Sequence, residues 1–96
     1  MQIDFTGHTV SVTPAIRALT EKKFLKLKRH FDKIERVHVT FDIEHHDQIA
    51  TATIHIPGGQ LHARSESSDL YAAIDHLIEK LDKQIIKFKQ QHQHRG

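Results

Sequence analysis

Short stretches in which apolar and polar residues alternate predict four β-strands. Alternation places every second side chain on the same face, which is typical of a strand with one buried side. A turn at residues 45–48 separates the second and third stretches, and the Pro-Gly-Gly-Gln segment of residues 57–60 has the chemistry of a hairpin connection. The predicted strands cover residues 2–6, 37–44, 50–56 and 61–66.

Two longer stretches carry apolar residues at intervals of three or four, which indicates amphipathic helices. The first helix begins at Thr13-Pro14, where threonine can cap and proline suits the first helical position, and it ends near Asp32 or Lys33. The second follows the serine-rich segment 65–69, which can cap it. The predicted buried faces are Ile16, Leu19, Phe24, Leu27 and Phe31 on the first helix, and Leu70, Ala73, Ile74, Leu77, Leu81, Ile85 and Phe88 on the second.

The predicted order of elements is therefore β-α-β-β-β-α, an α+β fold with two layers. The two helices would cover one face of a four-stranded sheet, and three strands in hairpin succession favour antiparallel pairing. The last five elements follow the order of double-stranded-RNA-binding domains, which is an analogy at the level of the fold. We expect a single domain over residues 1–90 and a polar, flexible tail over residues 91–96.

Composition limits the class of protein. The 96 residues suit one globular domain, with 38% hydrophobic and 27% charged residues. No apolar run approaches the roughly 20 residues of a membrane span, and the first residues lack the layout of a signal peptide. The absence of cysteine excludes disulfides and thiol nucleophiles and fits a reducing cytosol. We therefore expect a cytoplasmic protein that has no membrane partner.

The net charge of +2 conceals a strong division along the chain. Residues 14–36 contain eight Lys or Arg and three acids, and residues 80–96 contain five Lys or Arg and one acid. Residues 37–79 contain one Arg and seven acids. Positive charge is thus concentrated on the two predicted helices, and such asymmetry bears on binding partners rather than on the fold.

Each predicted helix carries a row of basic residues on one face. The members are spaced by four, three and four residues, the repeat that brings side chains to one side of a helix. Like charges in a row repel one another and an anionic partner would offset that repulsion, so the rows indicate a phosphate backbone, and RNA first. Lys23, at the margin of the first apolar face, could reach the same surface. The rows are Lys22, Lys26, Arg29 and Lys33, then His76, Lys80, Lys83 and Lys87.

The two rows admit more than one interpretation. Both lie about 120° from the centre of their apolar face, so parallel helices would place one row in the groove between them and the other on an outer flank. Such rows can also be ordinary solvated helix faces. A general structured-RNA-binding domain and a protein–protein interaction module that docks on an acidic surface are the alternatives. Sequence-specific reading of bases is not expected, because Phe41 is on the core side and Tyr71 is the only tyrosine.

The ten histidines and the other polar residues show no pattern of catalysis or metal binding. There is no HExxH motif and no cysteine ligand, and no nucleophile elbow, P-loop or pair of catalytic carboxylates. His38, His55 and His62 alternate with core residues, so we place them on the outer face of the sheet, where protonation could strengthen RNA binding at low pH. We predict a non-enzymatic protein without cofactor, metal or small-molecule substrate.

Five segments together resemble the ribosome hibernation-promoting factors, a family also called ribosome-associated inhibitors or sigma-54 modulation proteins. The most specific of them is Asp-x-Tyr-Ala-Ala-Ile-Asp, and the resemblance spans about residues 1–90. The segments are Phe5-Thr6-Gly7, His30–Ile34, Gly58-Gly59, Asp69–Asp75 and Lys80–Gln84.

The resemblance implies a β-α-β-β-β-α domain that binds the small ribosomal subunit and its rRNA in the cleft where messenger RNA and transfer RNA would sit. It also implies an inhibitor of translation that keeps ribosomes idle in stationary phase or stress. Carried over to this sequence, the residues that would contact rRNA are Lys22, Lys23, Lys26, Arg29, Lys33, Lys80, Lys83 and Lys87.

The chain is most similar to the short form of that family, because it ends soon after the second helix. Short forms lack a further C-terminal domain and are associated with ribosome dimers made with the help of a second factor. The sequence departs from the family at Ile85-Ile86 and Phe88, which make the end of the second helix rather apolar. We expect the basic residues at that end of the helix to bind rRNA phosphates more weakly.

Overall fold

The computed structural model describes residues 1–93, and the side chains of residues 1–91. The order of elements is β-α-β-β-β-α, as predicted. None of the helices in this part of the chain is long and apolar enough to cross a membrane. The elements are β1 (Gln2–Gly7), α1 (Pro14–His30), β2 (Arg36–Glu44), β3 (Asp47–Ile56), β4 (Gly59–Ser67) and α2 (Leu70–Gln93).

The four strands form one sheet in the order β1-β2-β3-β4. β3 pairs antiparallel with both β2 and β4, as hairpin succession predicted. β1 is different: it pairs with β2 in parallel, from Gln2 opposite Arg36 to Gly7 opposite Phe41. The reason is that α1 connects β1 to β2 and returns the chain to the end of the sheet at which β1 began, which is the connection that parallel strands require. The sheet is therefore mixed.

Both hairpins are tighter than predicted. β2 and β3 are joined by His45 and His46 alone, and β3 and β4 by Pro57 and Gly58. A tight two-residue connection commonly places at least one residue at positive φ, and here His45 has φ 58° and Gly58 has φ 85°. The hydrogen-bonded pairing of each hairpin consequently continues as far as the residues that flank the turn.

Both helices pack on the same face of the sheet, and their apolar stripes join the inward-facing strand residues in one core. Phe24, Phe41 and Leu81 are each fully buried in it. Thr20, which the apolar pattern did not include, is also fully buried, and its hydroxyl donates to the carbonyl of Ile16 at 2.8 Å. This internal partner removes most of the cost of burying a hydroxyl group.

The first helix is bounded by clear signals, although it is shorter than predicted. Thr13 accepts a hydrogen bond from the Ile16 N–H at 3.2 Å, which confirms the predicted cap. Phe31 is already extended, and its N–H closes the helix on the Leu27 carbonyl at 3.0 Å. The helix therefore ends at His30, slightly before the predicted end near Asp32 or Lys33, because the extended Phe31 leaves no helical backbone beyond it.

The second helix begins where the serine-rich segment predicted. An Asp69 carboxylate oxygen accepts from the Ala72 N–H at 3.1 Å, which satisfies one of the free N–H groups of the first turn. The helix continues to Gln93. Residues 91–93 of the predicted tail are thus helical, and residues 94–96 lie outside the described part of the chain.

Candidate nucleic-acid interface

The two helices run in the same direction, and two polar contacts fix their alignment. Lys23 Nζ lies 2.5 Å from a carboxylate oxygen of Asp75. His30 Nδ1 lies 2.9 Å from Oδ1 of Asp82. The contacts are seven residues apart on each helix, so α1 and α2 are parallel. The side of α2 that carries Asp75 and Asp82 therefore faces α1.

The opposite side of α2 lies along the open edge of the sheet. Lys80 Nζ donates to the carbonyl of Arg64 at 2.6 Å, and Gln84 donates to the carbonyl of His62 at 2.7 Å. Both carbonyls belong to β4, which is an edge strand. An edge strand with free backbone groups invites pairing with another chain. Lys80 therefore lies on the outer flank of α2 and helps to cover this edge.

Six lysine and arginine side chains of the predicted rows are exposed and make no hydrogen bond or ion pair with the described part of the chain. Five of them lie on the helices. The sixth, Lys33, follows the early end of α1 and lies in the next turn, so it extends the α1 row beyond the helix rather than along it. We call these six residues the unpaired cations: Lys22, Lys26, Arg29, Lys33, Lys83 and Lys87.

The other two predicted site residues are already engaged within the molecule. Lys23 is held by Asp75 on the neighbouring helix, and Lys80 is held by the Arg64 carbonyl. Binding a phosphate through either side chain would compete with an existing contact. Lys28 is half-buried and has no polar partner among the described residues, but it lies across α1 from the side that carries Lys23.

An acidic row, which the sequence analysis missed, separates the two basic rows. Asp75, Glu79 and Asp82 are spaced by four and three residues along α2, so they share a face of that helix. Asp75 and Asp82 contact α1, whereas Glu79 is exposed and has no ion-pair partner within the described residues. The spacing was visible in the sequence, but the position of this row became clear only once α1 was placed beside it.

The geometry can bind an extended polyanion along two lines. The α1 row and its continuation at Lys33 form one line, and Lys83 and Lys87 form the other, on the far side of the acidic row. Exposed amino and guanidinium groups of this kind position a phosphate backbone without reading its sequence.

The histidines of the sheet lie on its outer face, as predicted. His38 and His62 contact the hydroxyl groups of Thr6 and Thr53 at 3.2 Å and 2.9 Å. No group of three or more His, Asp or Glu residues that could hold a metal ion occurs in the part of the chain that the structure describes.

Comparison with known proteins gives one consistent result. Residues 3–93 match the family described as Sigma 54 modulation protein / S30EA ribosomal protein. Over 89 residues the chain is 47% identical to a ribosome hibernation promoting factor from Klebsiella oxytoca and 44% identical to one from Escherichia coli K12, covering 93% of this chain and 94% of each relative.

Solved structures agree with the sequence relatives. A ribosomal subunit interface protein from Coxiella burnetii superposes with a TM-score of 0.90 at 38% identity, covering 94% of this chain and 99% of that one. The N-terminal domain of Thermus thermophilus Protein Y gives a TM-score of 0.84 at 33% identity, covering 92% and 99%. The resemblance found in the sequence is confirmed, and the chain belongs to the Sigma 54 modulation protein / S30EA ribosomal protein family.

Proposed function

We propose that this protein is a ribosome hibernation factor that binds the small ribosomal subunit at the channel for messenger RNA and transfer RNA and so inhibits translation. Relatives that match over nearly the whole chain are named ribosome hibernation promoting factors. The fold and the position of the basic residues support the same role.

The observation that carries the proposal is the set of six unpaired cations on the helical layer. An unpaired lysine or arginine has donors available for a phosphate, and it gives up no internal contact on binding. Each phosphate contact releases counterions, so that affinity for a structured RNA falls steeply as salt rises. Ribosomal RNA supplies a dense array of phosphates with a fixed shape.

Inhibition in this proposal is steric. The helices hold rRNA phosphates, and the body of the domain occupies space that messenger RNA and transfer RNA need. Such a factor acts by occupancy, so its mechanism requires no cofactor and no bond-breaking step. A role on the ribosome also places the protein in the cytoplasm.

The proposal extends to the fate of the bound ribosome. We propose that occupied ribosomes accumulate as inactive dimers in stationary phase or stress, with the help of a second dimerisation factor. A dimeric ribosome peak that appears with cell extract, but not with purified ribosomes alone, is the expected result if a second factor is needed.

Sedimentation tests the central part of the proposal. Purified protein is mixed with ribosomes at low salt, separated on a sucrose gradient and detected in each fraction. We expect co-migration with small subunits or whole ribosomes that is lost at high salt. Protein that remains at the top of the gradient at low salt would overturn the ribosome role.

Two further measurements separate the two alternatives. A general RNA-binding domain would bind an unrelated structured RNA, such as a transfer RNA, as tightly as it binds the small subunit. A protein-interaction module would recover its partner from an extract after RNase treatment. A strong preference for the small subunit, abolished by RNase, supports the hibernation factor.

A further inference from the structure

A cleft opens beside the C-terminal end of α1 and the last turns of α2, next to the turn between β3 and β4. Its volume is about 490 Å³, within the range of roughly 300–1,000 Å³ that is typical of small-ligand sites. Its walls come from three separate parts of the chain: residues 30–33, Pro57, and Phe88 with Lys89.

Two aromatic rings form the apolar wall of this cleft. Phe31 and Phe88 meet edge to face, with ring centroids 5.6 Å apart and planes at 75°. Phe31 caps the end of α1 and is half-buried, so part of its ring is accessible from the cleft. Pro57 contributes a second, exposed apolar surface. A flat apolar ligand therefore has ring surface to stack on.

Some polar groups around the cleft already have hydrogen-bond partners within the molecule, and others do not. Lys89 donates to the His30 carbonyl at 2.8 Å, and His30 contacts Asp82, so these groups hold the two helix ends together. Lys33 is exposed and unpaired. Asp32 is exposed beside it and offers acceptors, to which the N–H groups of a base could donate but a phosphate could not.

We infer that this cleft receives one unpaired base of an RNA strand, which stacks on Phe31 while a flanking phosphate meets Lys33. This inference rests on the proposed function, because it adds a base-stacking subsite to an RNA-binding surface. Lys33 continues the α1 row that runs through Arg29, so a strand held along that row reaches the mouth of the cleft. Recognition of single-stranded RNA commonly combines a stacked base with a cation on its phosphate.

Nuclear magnetic resonance on the whole chain can test the subsite without ribosomes. The probe is the pentaribonucleotide UUAUU, compared with the same strand lacking the central base, at one low salt concentration. We expect chemical-shift changes at the amides of Phe31, Lys33 and Gly58. Removal of the base should weaken binding by about tenfold, since one stacked base typically contributes about 5- to 150-fold.

Matched variants separate stacking from folding. Phe31→Leu keeps apolar bulk but removes the ring, and it should weaken binding of UUAUU about tenfold. Phe31→Tyr restores a ring and should bind like the original chain. Tyr71→Leu removes a half-exposed aromatic near the start of α2 and should change binding less than about twofold. Thermal unfolding of each variant verifies that it is folded.

Three results would overturn the inference. The first is equal binding of the strand with and without its central base. The second is a set of shifts confined to the helical rows and unchanged by Phe31→Leu. The third is self-association of the chain through the cleft, which would make it a protein interface. None of these abolishes sedimentation with ribosomes, whereas failure to sediment would overturn the proposed function and leave the cleft shifts in place.

Discussion

The two faces of the molecule differ in how their charged side chains are paired. On the outer face of the sheet, the arginines and two of the histidines contact polar side chains of the same sheet, so positive charge there is largely compensated. The contacts are Arg36 with Asp4 at 3.9 Å and Gln2 at 3.3 Å, Arg64 with Glu44 at 3.3 Å and Glu66 at 3.5 Å, His38 with Thr6 at 3.2 Å, and His62 with Thr53 at 2.9 Å.

The helical layer holds the six unpaired cations instead. Exposed ion pairs each contribute only about 0–1 kcal/mol to stability, so compensation on the outer face is not needed to hold the fold together. This compensation of charge leaves the outer face of the sheet with little attraction for an anion. We therefore propose that pairing, rather than the number of basic residues, distinguishes a surface suited to phosphates from one that is not.

The largest expected effect comes from removing four unpaired cations together. Lys26→Ala, Arg29→Ala, Lys83→Ala and Lys87→Ala in one chain should weaken binding to the small subunit by about 100-fold or more near 100 mM salt, because four phosphate contacts are lost. Filter binding with purified subunits measures this change.

The control for that variant is on the other face. Arg36→Gln with Arg64→Gln removes two positive charges whose partners are acidic neighbours, and it should change affinity less than about threefold. Equal losses in the two variants would show that binding responds to net charge and that pairing is irrelevant.

A smaller effect is expected from single substitutions of two lysines that lie three residues apart on α2, and the loss of binding should differ between them. Lys83→Met removes an unpaired cation and should weaken subunit binding about three- to fivefold. Lys80→Met removes the donor to the Arg64 carbonyl and should change binding less than about twofold, while lowering the free energy of unfolding by about 0.5–1 kcal/mol. Urea denaturation measures the second quantity. A greater loss of binding for Lys80→Met would contradict the distinction.

An opposite effect is expected from the acidic row. Glu79 is exposed between the two basic rows and has no ion-pair partner in the described chain. Glu79→Gln removes its repulsion of phosphate and should tighten binding about twofold at low salt, with the gain disappearing as salt screens the charge. Binding isotherms at two salt concentrations test this, and weaker binding of the variant would place Glu79 in a direct contact.

The smallest expected effect is that of pH. Histidine is the side chain whose charge ordinarily changes near neutral pH, and the exposed His76 belongs to the second basic row. Lowering the pH from 7.5 to 6.0 at fixed salt should strengthen binding by about twofold, and His76→Gln should reduce that gain. Equal affinity at the two pH values would exclude a contribution from the histidines.

The sequence predicted the parts of the fold that local periodicity encodes. Alternation and three-to-four spacing located all six elements, and Thr13 and the segment before α2 marked where the helices begin. The direction of β1 was not predicted, because strand direction depends on the route of the crossover. The early end of α1 at Phe31 was missed, since no proline or glycine marks it.

The candidate site was predicted as a set of residue types but not as a set of contacts. The partners that engage Lys23 and Lys80 are 52 and 16 residues away along the chain, so no local pattern distinguishes these two lysines from their unpaired neighbours. Phe31 and Phe88 also lie far apart in the sequence. Packing of the helices on each other and on β4 decides all of these contacts.

The salt dependence of small-subunit binding tests most directly whether the unpaired cations hold phosphates. The logarithm of the binding constant is plotted against the logarithm of salt concentration for the original chain, for the fourfold variant and for the paired-arginine control. We predict that the fourfold variant loses about three units of slope, at roughly 0.7–0.9 per phosphate contact, and that the control keeps the original slope. An unchanged slope in the fourfold variant would contradict the account.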